Sequence, residues 1–469
     1  MTVPPLLPPA AGLRIAWFSP MPPSRSGIAA YSAELLPLLR ERGLHIDVFA
    51  EPAPGAMPAG LSARDFVWAQ RRHPYDLTVY QLGNAACHDY MWGYLFRYPG
   101  LVVLHDAQVH QARAQSLLAG WRPRRGDYLA EFVANHPDAP PDLGLLVTEG
   151  LGGSLFGHWP HIRLVLQAAR LTAVHSAALA ERLRDEYGVD VEAVPMGVAD
   201  PLAAAATATP AQVRARYGLP DDALVVGACG GVTPEKRLPE LIEAVAALRD
   251  THPRLHLLVV GAPAAHYDVA ADAASHGVAA RVHVTGFVSD ADLPAHLAAA
   301  DICACLRWPT NFETSASWLR AIAAGRPTIV TALSHQPELP VVDARDWHYY
   351  GPPGQAPIAA AVEILDERRG LHAALVTLAA RPDRRARLGE AGRQFWQARH
   401  TVDAMADAYD SLLARAACRM APAVTLPAHL VDEGDEHLLA LLAPFGLGAP
   451  AEVRYASAFI RRSSSATAS

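Results

Sequence analysis

Lysine is nearly missing from this chain. Lysine and arginine together number 40, and Lys236 is the single lysine among them. Such a skew is typical of genome composition, so the position that keeps a lysine stands out. One interpretation is chance. The other is that Lys236 supplies a compact ammonium group where a planar guanidinium would not serve.

Cysteine is scarce and unpaired in pattern. The five cysteines are odd in number and scattered, which excludes a disulfide framework. Cys303 and Cys305 flank one alanine in an apolar run, so on a strand both would point into the core. No second Cys or His pair has matching spacing, and we expect no metal site. The other three are Cys87, Cys229 and Cys418.

Long apolar runs and an excess of positive charge are also missing. No run approaches the roughly 18–20 apolar residues of a membrane span, and residues 1–12 lack the pattern of a signal peptide. A formal net charge of −7 argues against a nucleic-acid partner. We expect a cytoplasmic protein, with room for peripheral contact at the inner face of the membrane.

What the chain has in quantity is apolar sequence, at 51% against 19% charged residues. With 469 residues, it has length for two or three globular domains. Short apolar strands alternate with amphipathic helices in both halves, which predicts two tandem Rossmann-like doubly wound parallel-sheet domains facing a central cleft. Strands are predicted at 13–19, 45–50, 76–81, 101–104, 171–174, 191–194, 223–229, 255–261, 281–285, 301–306 and 327–331, and helices at 28–42, 89–97, 265–276 and 315–324. Residues 382–419 are predicted to be mostly helical, with Thr401 as the N-cap of the last helix.

A low-complexity linker, Asp200–Pro210, marks the predicted domain boundary. We expect an acceptor-side domain over 1–200, a donor-side domain over 201–400, a terminal helix over 401–419 and a partly disordered extension over 420–469. Residues 107–165 interrupt the strand rhythm. They are either a substrate-binding insertion or a helical elaboration that packs on the sheet. Their aromatic and basic side chains include Trp121, Arg122, Arg124, Arg125, Tyr128 and Trp159.

Two glycine-containing loops follow predicted strands, where such sheets bind ligands. In the first, Gly27 precedes a helix whose free N–H groups favour an anion. In the second, Gly231 opens the backbone, and Lys236 and Arg237 could neutralise a diphosphate. The alternative is an ordinary capped turn in each case. Two cations at a helix N-terminus are unfavourable there without an anion.

A third loop, 307–315, joins a strand to a helix and carries Glu313, a carboxylate suited to sugar hydroxyls. Thr314 and Ser315 are equally good helix-capping residues, so a simple capping cluster is the alternative. His105 ends a buried strand, where it would either bind a sugar or acceptor hydroxyl or only pack. Arg307 is a further candidate cation in the third loop.

Taken in order, these segments resemble the retaining glycosyltransferases of the large group 1 family, which have the GT-B fold. The resemblance covers about residues 13–418. It is carried by S-P-M-P-P-S-R-S-G-I-A-A-Y-S at 19–32, V-V-L-H-D at 102–106, V-H-S at 174–176, E-R-L-R-D-E-Y-G at 181–188, V-P-M-G-V at 194–198, G-V-T-P-E-K-R at 231–237, E-T-S-A-S-W-L-R-A-I-A-A-G at 313–325 and H-T-x-x-x-M at 400–405.

The resemblance implies that Lys236 holds the diphosphate of a nucleotide-sugar donor, and that Glu313 contacts the transferred sugar. It places His105 near the reacting centre and Gly27 near the phosphates, and it implies a terminal helix that crosses back to the first domain. Transfer would go to a glycan, lipid-linked or small-molecule acceptor, without a metal or other cofactor.

The chain departs from the family pattern in two places. Gly231 stands where the family often has arginine. A second glutamate that grips the nucleotide ribose is missing, and its slot holds Ala321 or, in the other alignment, Arg320. Arg237, Arg307 or Arg320 would have to supply the lost positive charge.

Three other functions compete with transfer. A GT-B-shaped sugar-nucleotide or glycan binding protein with little or no transferase activity is favoured slightly by the missing glutamate and arginine. An NAD-dependent oxidoreductase is disfavoured because the G-x-G-x-x-G fingerprint is absent. A sugar-nucleotide epimerase of similar fold would turn over a donor without an acceptor.

Overall fold

The computed structural model describes residues 10–51, 60–119, 122–153, 155–203, 208–262, 267–333, 337, 339–431 and 444. Trp121, part of the predicted linker and most of the predicted extension lie outside these residues. No helix of the described part of the chain is long and apolar enough to cross a membrane.

The first sheet has seven strands in the order β3-β2-β1-β4-β5-β6-β7, and every neighbouring pair is parallel. Its central strands are buried along their whole length, as expected of a sheet covered on both faces. The strands are β1 Arg14–Phe18, β2 His45–Ala50, β3 Leu61–Ser62, β4 Leu77–Leu82, β5 Leu101–Leu104, β6 Leu171–Val174 and β7 Val191–Ala193.

The second sheet has eight strands in the order β10-β9-β8-β11-β12-β15-β13-β14. All neighbours are parallel except the β13–β14 pair at one edge. The strands are β8 Leu224–Cys229, β9 Leu255–Val260, β10 Val282–Val284, β11 Ile302–Cys305, β12 Thr328–Thr331, β13 Val341–Asp343, β14 Tyr349–Tyr350 and β15 Ala359–Val362. The predicted fold class, two parallel-sheet α/β domains, is confirmed.

Helices cover both sheets and connect their strands. In the first half they are α1 Gly27–Glu41, α2 Phe66–Arg72, α3 Tyr90–Leu95, α4 His110–Leu118, α5 Arg125–Asn135, α6 Asp142–Thr148, α7 Leu155–His158, α8 Arg163–Ala168 and α9 Ala177–Tyr187. The second half has α10 Pro210–Arg216, α11 Leu238–Ala247, α12 Val269–Ser275, α13 Leu293–Ala299, α14 Ala316–Ala323, α15 Glu367–Ala380, α16 Pro382–Arg399, α17 Val402–Ala417 and α18 Ala428–Val431.

The sequence pattern located the eleven predicted strands to within about a residue, because each is a short apolar run bounded by turn residues. It missed the short strand β3 and the segment after β12. Strands β3, β13, β14 and β15 and helix α15 were not predicted, since β3 and β14 have two residues each and β15 is mostly alanine. The predicted helix at 265–276 begins instead at Val269, where Asp268 caps the chain by accepting from two backbone N–H groups.

The last long helix joins the two halves. Thr401 caps α17, as the sequence predicts, and α17 packs against α1 of the first domain. The Tyr409 hydroxyl on α17 lies 2.7 Å from the Tyr31 hydroxyl on α1. One apolar cluster runs from β1 and α1 through α17 to Trp318 and Trp396 of the second half. The two sheets are therefore tied by a continuous hydrophobic core as well as by the chain.

The insertion between β5 and β6 is helical and has its own small apolar cluster, including Tyr128 and Phe132. Its Glu131 is fully buried, and Arg113 neutralises it through two hydrogen bonds. His429, beyond α17, reaches the same carboxylate at 2.7 Å. The described part of the C-terminal extension is thus seated on the insertion, because its histidine satisfies a buried acid.

The tight packing at Gly197 allows a test of how the chain returns to the first domain through α17. A Cβ atom there would lie 2.4 Å from the Thr401 backbone oxygen and 2.9 Å from the Met405 Cβ. We expect Gly197→Ala to destabilise the protein by about 1–3 kcal/mol through overpacking, measured by urea unfolding. Gly93→Ala is the matched control, since nothing lies within 4 Å of that position. Equal stability of the two variants would contradict this account of the crossover.

Candidate functional site

The site is built where strands of the two sheets end. Residues 105–106 follow β5, the loop 230–237 follows β8, and the loop 306–315 follows β11. The two halves touch at this edge: the Ala107 backbone N–H donates to the Asn311 carbonyl at 2.8 Å. The Arg25 guanidinium also lies 4.4 Å from the ring centre of Phe287. Carboxyl-end loops of both sheets therefore form one cleft, as doubly wound sheets predict.

Lys236 lies in a short 3-10 turn after β8 and is half-buried. Its ammonium forms no ion pair among the described residues. The ammonium lies close to Gly230, since a Cβ atom added at Gly230 would be 3.3 Å from Lys236 Nζ. Burial first, and then the charge of Arg307, lower the pKa of Lys236 to about 8. A negatively charged ligand beside this ammonium would therefore stabilise it.

Glu313 lies in the loop before α14 and is almost buried, with about 10% of its side chain exposed. Arg307 pairs with it at 2.5 Å. Its other oxygen accepts from the Thr310 hydroxyl at 3.0 Å and from the Asn311 backbone N–H at 2.7 Å. The carboxylate is thereby held in one orientation, and its charge also acts on Lys236. Lys236, Arg307 and Glu313 form one charged cluster in the second domain.

Asp106 is the site residue that sequence reasoning missed as a separate group. One of its oxygens accepts from the Asn84 backbone N–H at 2.7 Å. Burial raises the pKa of Asp106 to about 6, and the charges of Glu313 and Arg307 act on it across the cleft. The V-V-L-H-D motif contains Asp106, but the sequence pattern predicts a role only for His105 in that motif. A carboxyl group that titrates near neutral pH thus faces the charged cluster.

His105 is packed inside the first domain. Its Nε2 lies 2.7 Å from Gln81 Oε1, and its Nδ1 lies 3.2 Å from His175 Nε2. The Tyr31 ring meets it edge-on. Gln81 in turn donates to the Tyr409 hydroxyl on α17. The structure therefore places His105 in a buried network that reaches the crossing helix, one residue from the cleft-facing Asp106.

The remaining loop residues lie at helix starts. Gly27 is the first residue of α1 and is exposed, after Ser26 as cap. Ser315 caps α14 by accepting from the Trp318 backbone N–H, and Thr314 precedes it, buried. Gly231 is exposed beside Lys236, and nothing lies within 4 Å of an added Cβ at Gly27 or Gly231. Both glycines thus leave open space at the cleft edge.

Two predicted donor ligands point elsewhere. Arg237 pairs with Glu240 at 2.7 Å and with Glu367 on α15. The sequence pattern predicts a ligand anion that neutralises Arg237, but these two carboxylates of the protein neutralise it. Arg320 pairs with Glu34 on α1 at 2.9 Å and so links the two domains. The structure does not bring Arg237 or Arg320 together with Lys236, because each already has a carboxylate partner.

The environment of His105 predicts its charge. Burial, followed by the neighbouring His175, holds the pKa of His105 well below its usual range. We expect the imidazole to stay neutral from pH 5 to pH 8, measured by ¹⁵N NMR of the ring nitrogens, with exposed His45 as an internal control. A His105 titration centred near 6.5 would contradict the network described above.

Comparison with known proteins finds one matching family and several similar sequences. Residues 223–366 match the family described as glycosyl transferases group 1. A 2-deoxystreptamine glucosyltransferase of Streptomyces kanamyceticus is 32% identical over 138 residues, which is 29% of this chain and 35% of that protein. A D-inositol 3-phosphate glycosyltransferase of Kineococcus radiotolerans is 29% identical over 336 residues, covering 66% of this chain and 73% of that protein. The first of these matches thus spans about a third of its relative's length.

Solved structures match over nearly their whole length. Sucrose-phosphate synthase from Thermosynechococcus elongatus has a TM-score of 0.57 at 18% identity, covering 85% of this chain and 98% of that chain. Anabaena HepE, solved with UDP and glucose, has a TM-score of 0.55 at 16% identity, covering 86% and 99%. Residues 223–366 therefore match the group 1 glycosyl transferases, and the whole two-domain fold is the GT-B fold of solved glycosyltransferases.

Proposed function

We propose that the protein transfers a sugar from a nucleotide-diphosphate sugar to an acceptor hydroxyl, with retention of configuration and without a metal. The observation that carries the proposal is the Lys236 ammonium, half-buried and without an ion-pair partner among the described residues. An anion would stabilise a cation in such a partly desolvated place. The diphosphate of the donor is that anion.

The surroundings of Lys236 suit the same ligand. Gly231 leaves the backbone open next to it, and α14 begins close by, where Ser315 caps the helix. The free N–H groups of a helix start and its dipole favour a phosphate. An added Cβ at Gly230 would meet both Lys236 Nζ and Ser317 Oγ at 3.3 Å, so the loop and the helix converge. Diphosphate oxygens placed there would meet several donors at once.

Glu313 would then hold hydroxyls of the donor sugar, because Arg307 and its backbone partners fix its carboxylate. During transfer the bond from the anomeric carbon to the diphosphate breaks, and the acceptor oxygen bonds to that carbon on the same face. The acceptor's proton passes to the departing diphosphate, whose charge Lys236 stabilises. Asp106 would act from the first domain, where the Asn84 backbone N–H holds its carboxylate, and His105 precedes it in the chain.

We also propose a separate role for each part of the chain. Residues 1–200 form the acceptor side, residues 201–400 bind the donor, residues 401–419 cross back, and residues 420–469 extend the chain. UDP is the donor nucleotide to test first, since HepE was solved with UDP and with UDP-glucose. The relatives named for 2-deoxystreptamine and D-inositol 3-phosphate favour a cyclitol over a glycan or lipid-linked acceptor. Transfer would take place in the cytoplasm or at the inner face of the membrane.

A second function, sugar-nucleotide binding without transfer, is favoured by one observation. The helix α14 carries Arg320 or Ala321 where the family has a second glutamate, and Arg320 is occupied by Glu34. The ribose of the donor therefore lacks that carboxylate. Release of UDP from UDP-glucose with a cyclitol present decides between transfer and binding alone.

The charge of Lys236 predicts both the strength and the pH dependence of donor binding. A charge-assisted hydrogen bond contributes about 1.5–3 kcal/mol, so Lys236→Met is expected to weaken UDP binding roughly 10- to 100-fold in calorimetry. Since the pKa of Lys236 is lowered to about 8, the ammonium is present below pH 8 and lost above it. Affinity of the unmodified protein should therefore fall as pH rises through 8, by up to about tenfold per unit.

The control for this experiment is Arg254→Met, which removes a cation that is about 71% exposed on the same domain. It should leave UDP affinity and its pH profile unchanged. A Lys236→Met variant that binds UDP like the unmodified protein, or that keeps the same fall above pH 8, would refute the assignment of the diphosphate to Lys236.

A further inference from the structure

A cavity of about 220 Å³ lies between the first domain and the loop before α14. Its walls come from the start of the insertion, from the 157–162 segment, from α9 and from the loop before α14. Ala107 directly follows Asp106, and Phe312 directly precedes Glu313. Two residues that line the cavity are therefore the chain neighbours of the two carboxylates, Asp106 and Glu313.

Phe312 closes the cavity from the second domain. It is a non-glycine residue with φ of +61°, a left-handed backbone that side chains rarely adopt. Its N–H donates to the Thr310 hydroxyl at 3.0 Å, and the Arg182 guanidinium on α9 lies 4.6 Å from its ring centre. Its ring also packs against the apolar cluster of the first domain. Both domains thus contribute to the walls of the cavity.

Gln108 gives the cavity an unused acceptor. The residue is buried, and its Nε2 donates to the Gly157 carbonyl at 2.6 Å, which fixes the orientation of the amide. Its Oε1 has no hydrogen-bond partner among the described residues. A buried acceptor without a donor destabilises the free protein, so a ligand that donates a hydrogen bond would be favoured there.

The charges at the mouth favour the same kind of ligand. Glu186 lines the cavity and lies 3.6 Å from Arg182, which is already placed over Phe312. The outer face of α9 adds Glu181 and Asp185. A phosphate group would meet more carboxylates than cations here, whereas hydroxyl and amino groups would find acceptors.

We propose that this cavity is the acceptor subsite, and that it takes a single polyol ring without phosphate whose hydroxyl or amino groups donate to Gln108 Oε1 and to Glu186. The volume equals that of roughly seven water molecules at about 30 Å³ each, enough for one small ring. It lies below the about 300–1,000 Å³ of typical drug-sized sites, which favours one ring over two linked rings. This inference rests on the proposed function, because it places the attacking hydroxyl beside Asp106 and Glu313.

The test measures binding of three probes to the full chain saturated with UDP: 2-deoxystreptamine, myo-inositol and myo-inositol 3-phosphate. Calorimetry should show the amino-bearing and neutral rings binding at least tenfold more tightly than the phosphorylated ring. Gln108→Leu should weaken the two favoured probes roughly tenfold, because it removes the acceptor atom, and should leave UDP affinity unchanged. Gln115→Leu, the same change at an exposed position of α4, is the matched control.

Glu186→Gln is the second variant, since Gln108→Leu also removes the bond to Gly157 and could disturb the fold. Glu186 is exposed at the mouth, so its replacement should keep the thermal midpoint while it weakens 2-deoxystreptamine more than myo-inositol. Tighter or equal binding of myo-inositol 3-phosphate, or unchanged polyol affinity in both folded variants, would overturn the proposal. If the unmodified protein binds UDP but none of the polyols, only the proposed subsite is refuted. If the unmodified protein does not bind UDP, the proposed function is refuted as well.

Discussion

The site depends on one electrostatic constraint: the Lys236 ammonium is half-buried and forms no ion pair with a carboxylate among the described residues. Proteins rarely bury a charge unless a partner meets it. Arg237, its neighbour in the chain, shows the ordinary solution, because Glu240 and Glu367 neutralise it. The contrast between these adjacent cations separates a ligand-binding charge from a structural one.

The rest of the fold serves to bring a second surface to that charge. The hydroxyl pair of Tyr409 and Tyr31 ties the crossing helix α17 to α1 of the first domain, and Arg320 pairs with Glu34 on the same helix α1. The Ala107–Asn311 hydrogen bond then closes the two loops on each other. These contacts hold Asp106 opposite the Arg307–Glu313 pair. Chemistry at the cleft thus requires both domains, since neither half carries all the groups.

Much of the architecture was predictable because short apolar strands and capped helices leave local patterns in a sequence. The Thr401 cap and the strand ends that precede His105 and the loops of Lys236 and Glu313 are of this kind. The roles of Arg237 and Arg320 were not predictable, since Glu367 is 130 residues and Glu34 is 286 residues away in the chain. Asp106 and the Gln108 cavity depend on contacts between domains, which no local spacing encodes.

The most direct measurement is a crystal structure of the full chain with UDP bound. The account predicts that diphosphate oxygens lie within hydrogen-bonding distance of Lys236 Nζ and of the α14 N-terminus, on the Glu313 side of the cleft. A diphosphate bound elsewhere, with the Lys236 ammonium turned away from it or paired with a protein carboxylate, would contradict the central claim.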